Sequence, residues 1–348
     1  MIPHYKPSFD ETDVAAAASV IRSGHLAQGE VVTALEHRFA ELTNRRHAVA
    51  VSSGTTALTM SLLVMKIGVG DEVIIPSYTC SALWHAVRAI GATPVFCEIE
   101  KVSYNLDPEE IRKKISIKTK AVIFPHMFGQ PGRIDEATNL GVPIIEDIAQ
   151  GIGGKILNQP VGSFGDITIS SFYATKPIGA GEGGIVLTDN LKLAEKIRSL
   201  REYDEQETLT PRFNAKMTDL TAAIALSQLD KFPLLTEKRK KIFRTYLTAF
   251  GKALVIPNIT LTDIASNFYR CIIQTPNTDD AIRMAETYNI RLRKPVFKPL
   301  HLYSSHEKLE ITESAWEHQV SIPIFPSMSD EEISLVISKM NPIFSAKL

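Results

Sequence analysis

Cysteine is scarce in this chain. There are three in 348 residues (Cys80, Cys97 and Cys271), with no C-x-x-C pair. That argues against both a disulfide framework and a structural zinc site. An excess of one charge sign is missing too: 38 Lys+Arg against 39 Asp+Glu leave a formal net charge of −1. With no run of five like charges, nucleic acid or an anionic membrane is disfavoured as the main partner. No apolar run approaches the roughly 20 residues that span a bilayer. The opening MIPHYKPSFDETD lacks a basic-then-apolar signal segment, so a soluble, cytoplasmic protein is expected. Repeats and low-complexity segments are absent as well. Hydrophobic residues at 44% and charged residues at 22% are ordinary globular values. A chain of this length buries roughly 75% of its unfolded surface, enough for a large domain and a smaller one.

What the chain does have is an alternation of strands and helices. DVAAAASVIRSG (13–24) and EVVTALEHRFAELTN (30–44) carry apolar residues at helical spacing. Short apolar runs follow: HAVAVSS, DEVIIPS, TPVFCEIE, KAVIFPH, VPIIED, GDITISSF and GGIVLTD, about seven strands ending near Asp189. Helical patterns such as TTALTMSLLVMKIG, SALWHAVRAIG and DPEEIRKKIS separate most of them. Such strands imply a mostly parallel sheet covered on both faces, an α/β fold. Beyond it, LKLAEKIRSLREYDE reads as a helix and QETLTPRFNAKM as a loop. TDLTAAIALSQLDKF reads as a helix stopped by Pro233, with a basic helix after it. A domain boundary is placed near residues 233–250, giving a large domain over 1–240 and a smaller α+β domain over 241–348.

Ligands of open parallel sheets bind beyond the carboxyl ends of the strands. One such end is SSGTT (52–56), where Ser53, Gly54 and Thr55 open a helix. Free amides and the positive dipole end there suit an anion, although a plain N-cap uses the same residues. In EDIAQ (146–150), strand neighbours Glu146 and Asp147 face opposite sides, so only one can enter a site. An aspartate there either holds a cation or protonated ring nitrogen, or caps a helix. Lys176, in SSFYATKPIGAGEGG, follows another strand end. It is either a solvated surface lysine or an amine whose pKa is lowered by its surroundings. Gly179, Gly181 and Gly184 spell G-x-G-x-x-G, but a strand follows rather than a helix, so a dinucleotide fingerprint fails on context. An anion cup, an acidic strand end and a lysine are together what pyridoxal 5′-phosphate needs. The cup takes the phosphate, the aspartate keeps the ring nitrogen protonated, and the lysine binds the aldehyde and moves protons.

The ordered motifs SGHLAQGEVVTALEHRFAEL, AVAVSSGTTAL, DEVIIPSYT, HMFGQP, PIIEDIAQ, SFYATKPIGAGEGG, FNAKMTDLTAAIALSQLDK, FYRCII and SIPIFPSMSDEE cover essentially the whole chain. In them the sequence resembles the DegT/DnrJ/EryC1/StrS family of sugar aminotransferases. The resemblance implies the aspartate-aminotransferase-like fold (fold type I), with pyridoxal phosphate joined to Lys176 and Asp147 on its pyridinium. It places Gln150 beside the phenolic oxygen and Gly54, Thr55 and Ser171 on the phosphate. Asn214 would reach the phosphate from the neighbouring subunit, which implies a homodimer with two shared sites. Cys80 stands where the family usually stacks an aromatic on the ring; sulfur also packs against π faces. Lys216 replaces the arginine of the family's N-x-R-M and lacks its bidentate fork. His301, in KPLHLY, resembles a substrate-side position, and His126 is a pocket or structural residue; neither has a metal spacing. The implied activity is amino transfer, with L-glutamate as donor, to a nucleotide-linked keto sugar. A sugar dehydratase is the first alternative, disfavoured because that branch typically replaces the lysine with histidine. A cyclitol-type ketone as acceptor and a non-catalytic cofactor-binding regulator are the others.

Overall fold

The computed structural model describes residues 1–204, 206–255, 264–304 and 307–344. Two helices, α1 (Glu11–Ser23) and α2 (Glu30–Leu42), precede the first strand, β1 (His47–Val51). Then come α3 (Gly54–Val64), β2 (Glu72–Pro76), α4 (Ala82–Ala89), β3 (Thr93–Cys97), α5 (Pro108–Lys114), β4 (Thr119–Pro125), α6 (Ile134–Ala137) and β5 (Ile144–Asp147). A small hairpin, β6 (Lys155–Ile156) and β7 (Gln159–Pro160), leads to β8 (Ile167–Ser171) and β9 (Gly184–Thr188). The seven runs anticipated from sequence form a seven-stranded sheet of order β1-β9-β8-β5-β4-β2-β3. Only β9 runs against the others, pairing antiparallel with β1 and β8. Six carboxyl ends therefore meet at one edge of the sheet.

Alternation along the strands divides the core in two. On β1, Ala48 and Ala50 pack with Val32, Leu35 and Phe39 of α2, whereas Val49 and Val51 pack with Ala57, Leu58 and Leu62 of α3. On β4, Val122 and Phe124 take the first side and Ala121 and Ile123 the second. A period of two on strands covered from both sides yields two such cores.

After α7 (Leu191–Arg201), the helix α8 (Asp219–Phe250) runs unbroken for 32 residues, with Pro233 inside it. The expected stop at Pro233 is corrected. Pro233 faces solvent, while Leu229, Phe232 and Leu235 around it are buried, so packing holds the helix where propensity would end it. The α7 helix likewise ends at Arg201, short of the reading that ran to Glu205, a residue outside those described. Beyond α8, β10 (Ile264–Ala265) pairs with β6, and α9 (Thr278–Thr287) follows β11 (Cys271–Gln274). Then α10 (Glu310–His318) leads into β12 (Gln319–Ile322), which pairs antiparallel with β11, and α11 (Asp330–Phe344) is the last element among the described residues. Phe243 and Tyr246 of α8 share a separate core with β11, β12 and α11. Ile2 joins that core, its amide donating to the Asn289 carbonyl (2.8 Å), so the first residues pack with the last third of the chain.

Among the described residues no helix is long and apolar enough to cross a membrane.

Candidate active site

A cavity of about 480 Å³ opens at the shared strand edge. Its floor comes from the ends of β1, β4, β5 and β8, and its far wall from Tyr269, Arg270 and Pro295 of the C-terminal part. Of the residues singled out from sequence, Ser53, Gly54, Thr55, Cys80, Asp147, Gln150, Ser171 and Lys176 all line it, and so does His126.

The phosphate cup is built by a helix start. Ser53 caps α3, its Oγ accepting the Thr56 amide at 3.1 Å, which leaves the first amides of α3 for a ligand. A Cβ on Gly54 would lie 2.8 Å from Ser171 Cβ, so glycine is what keeps the cradle open. The glycines behind Lys176 serve the same approach. The Ala174 amide donates to the Gly181 carbonyl and the Phe172 amide to that of Gly183, both at 2.9 Å. Gly183 holds φ 134°, in the left-handed region that favours glycine. A Cβ on Gly184 would sit 2.3 Å from the Ser53 carbonyl oxygen. The run thus draws the lysine loop against the cup.

Asp147 and Glu146 divide as strand geometry requires. Asp147 turns into the cavity, where one carboxyl oxygen accepts the Ala149 amide at 2.9 Å. Burial pushes its pKa up, and the positive charge of Lys176 partly opposes that. Glu146, fully buried, accepts the amides of Phe164 and Gly165 (3.0 Å each) and a ring proton of His126 (3.1 Å). Because the Gly132 amide donates to His126 Nδ1 at 3.0 Å, the ring is the Nε2–H tautomer that serves Glu146. With both nitrogens engaged, His126 offers the cavity only its ring. Gln150 Oε1 accepts the Phe128 amide (2.9 Å), which fixes its NH₂ group as a donor, with one contact to Met127 Sδ at 3.8 Å and a second proton for the site.

Three expected residues lie elsewhere. His301 is completely buried, with Nδ1 2.6 Å from Ser77 Oγ and Nε2 3.3 Å from Glu313 Oε1, and it does not line the cavity. His301 thus lies off the cavity of its own chain, with Nδ1 on Ser77 just after β2 and Nε2 on Glu313 of α10. Lys216 pairs with Glu202 away from the cavity. Asn214 is exposed and off the cavity of its own chain. Trp84, in the first turn of α4 beyond Cys80, packs against the α3 side of the core and does not line the cavity.

The wall residues Tyr269 and Arg270 escaped sequence reasoning. Lys176 Nζ lies 5.9 Å from the Tyr269 ring centroid, and Arg270 stacks on the same ring at 4.5 Å. Burial raises the Tyr269 pKa, but the charges of Arg270 and Lys176 and hydrogen bonds from Thr175 and Arg270 outweigh it and bring the phenol below its ordinary value. Only their presence within FYRCII hinted at them, since they lie about a hundred residues beyond the strand ends they face. Among the described residues, no cluster of three or more His, Cys, Asp or Glu could hold a metal ion.

The residues present fit pyridoxal 5′-phosphate. A cradle that a single Cβ would fill shares one cavity with the buried Asp147 carboxyl and the Lys176 amine. A sheet edge so equipped is that of a pyridoxal-phosphate-dependent enzyme of the α/β fold. The chain belongs to the DegT/DnrJ/EryC1/StrS aminotransferase family, whose profile matches residues 7–341. Similar solved structures agree over nearly the whole length. The aminotransferase TlmJ from Streptoalloteichus hindustanus is 27% identical, with a TM-score of 0.94 and 99% of each chain covered. DesV from S. venezuelae is 29% identical (TM-score 0.90, covering 97% of this chain and 95% of that one). DesI, solved in the presence of its TDP-sugar product, is 26% identical (TM-score 0.91, covering 99% and 93%).

Proposed function

We propose that this aminotransferase is a sugar aminotransferase that moves the amino group of L-glutamate onto the ketone of a nucleotide-linked keto sugar. The observation that carries the reading is the convergence of Lys176, Asp147 and the Gly54–Ser171 cradle on one cavity. The TDP-sugar product of DesI supports a nucleotide sugar as acceptor. So does the adjoining cavity of about 600 Å³, which shares Arg270 and Pro295 with the first and gives an extended acceptor room.

Bound here, pyridoxal phosphate supplies an electron sink that makes the donor's α-proton removable. The α3 amides, Thr55 and Ser171 would hold its phosphate, the Asp147 carboxylate would keep the proton on its ring nitrogen, and the Gln150 NH₂ group would donate to its phenolic oxygen side. Lys176 Nζ takes the proton from the donor α-carbon in the first half-reaction and returns one to the sugar carbon in the second. The enzyme acts in the cytoplasm as a homodimer, with Asn214 completing the neighbouring copy's cup. The exposure of Asn214 beside exposed Phe213 supports that arrangement.

Borohydride reduction of the cofactor-loaded protein, followed by peptide mass spectrometry, tests the reading. A pyridoxyl adduct on Lys176 is expected, and L-glutamate followed by a nucleotide keto sugar should yield the amino sugar. An adduct on another residue, or cofactor binding with no amino transfer from any amino acid, overturns it.

A further inference from the structure

The two strongest anion-binding candidates in the cavity wall are Lys176, committed to the chemistry, and Arg270. Arg270 stands just before β11, its amide donating to the Phe128 carbonyl at 3.1 Å, which ties it to the loop after β4. Its guanidinium has two neutral partners. Nη1 donates to His4 Nδ1 (3.1 Å) and Nη2 to the Tyr269 hydroxyl (3.1 Å), with the cation stacked on the Tyr269 ring. His4 in turn offers its Nε2 proton to Ser321 Oγ at 2.9 Å, so the support is itself fixed. Among the described residues no carboxylate lies within ion-pair distance of Arg270. A partly buried guanidinium without a counter-charge, placed in a ligand cavity, is completed by an anion from the ligand.

Lys176 Nζ and this guanidinium lie over the same Tyr269 ring, at 5.9 Å and 4.5 Å from its centroid. A donor whose α-carbon is in reach of Lys176 carries its α-carboxylate one bond further on. Lys216, the residue in the place of the family's arginine, is occupied by Glu202. Among the residues lining the cavity, Arg270 is the one guanidinium, and its planar fork matches a carboxylate. We infer that Arg270 binds the α-carboxylate of the amino donor, with His4 and Tyr269 as the residues that orient it. This rests on the aminotransferase reading above and adds to it the group that selects an α-amino acid.

The test separates the two half-reactions in wild type, R270Q and R270K, with cofactor content and circular dichroism confirming that each variant is loaded and folded. Conversion of the cofactor to its aminated form by L-glutamate should need roughly 100-fold more donor in R270Q, with R270K between. Binding of α-methyl-L-glutamate, which has no α-proton to lose, should weaken in parallel. The preference of wild type for L-glutamate over 4-aminobutyrate, which lacks the α-carboxylate, should largely vanish in R270Q. Amino transfer from the pre-aminated enzyme to the acceptor should fall by at least about 10-fold less than donor conversion does. Unimpaired donor conversion in R270Q, or impairment confined to the acceptor half-reaction, overturns the assignment; the second result would give Arg270 to the acceptor's phosphates. Wild-type protein that no amino acid aminates refutes the underlying reading as well, whereas wild-type conversion with an unimpaired R270Q refutes this one alone.

Discussion

Glu146 and Asp147 are consecutive on β5, and their carboxyl groups do opposite work. Glu146 is closed inside a shell of amides and His126, while Asp147 opens into the cofactor cavity. The pleat separates them, and their surroundings push their pKa values apart, Glu146 down and Asp147 up.

Glu146 contributes stability as an anion. Burial raises its pKa, but the bonds from His126 and the Gly165 and Gly162 amides overcome that and leave it below the usual value. A folded-state pKa below the unfolded one means stability that is present above the unfolded value and lost as pH falls through the folded one. Glu146→Gln sets an NH₂ group against amide donors and should cost about 3 kcal/mol near neutral pH. Chemical denaturation across a pH series should show the gap to wild type narrowing in acid. A gap that does not depend on pH would contradict this account.

Asp147 carries the reverse sign in the cofactor-free protein. Its raised pKa means the folded state is penalised as pH climbs from the unfolded value through the folded one. Asp147→Asn should therefore raise the melting temperature of the cofactor-free protein at neutral pH and lower it, relative to wild type, in the loaded one. Cofactor affinity and the half-reaction with glutamate should both fall. A variant less stable in both states would show that Asp147 has a purely structural role.

Gly54→Ala should close the phosphate cup. The new methyl would meet Ser171 Cβ at 2.8 Å, so the helix start or the end of β8 must shift. Cofactor binding should weaken by roughly 10-fold or more, an amount set by the lost phosphate contacts. The paired change Ser171→Gly should restore part of the space. Fluorescence titration with the cofactor measures both; no change in G54A would remove the cup from the site.

Asn214 provides a test of the shared sites. In the proposed homodimer, Lys176→Ala and Asn214→Ala each impair every site of their own dimer if Asn214 serves the neighbouring copy. Mixed dimers of the two variants should then regain activity, because one of the two sites receives both native residues. Refolding the variants together and assaying against each alone reads the outcome directly. Activity no higher than the mean of the two parents would count against the arrangement.

Much of this was legible along the chain. The runs from HAVAVSS to GGIVLTD became one sheet because strands buried on both faces must be nearly continuous in apolar residues. Lys176, Asp147 and the SSGTT turn could be found because parallel strands leave their carboxyl ends together, so residues distant in sequence had a predictable common address. Pro233 misled, and His301 lies away from the cavity, for one reason. Propensity and motif position are local, whereas the packing around α8 and the Ser77–His301–Glu313 chain of bonds are not.

The sequence by itself determined the alternating architecture, the candidate lysine and aspartate, and the failure of the glycine run as a dinucleotide fingerprint. Those depend on residue type, period and order. Only the tertiary structure decided which carboxyl enters the cavity surrounded by what, why Gly54 and Gly184 must lack a side chain, and that Tyr269 and Arg270 complete the wall. These are distances between segments a hundred residues apart, and packing sets them.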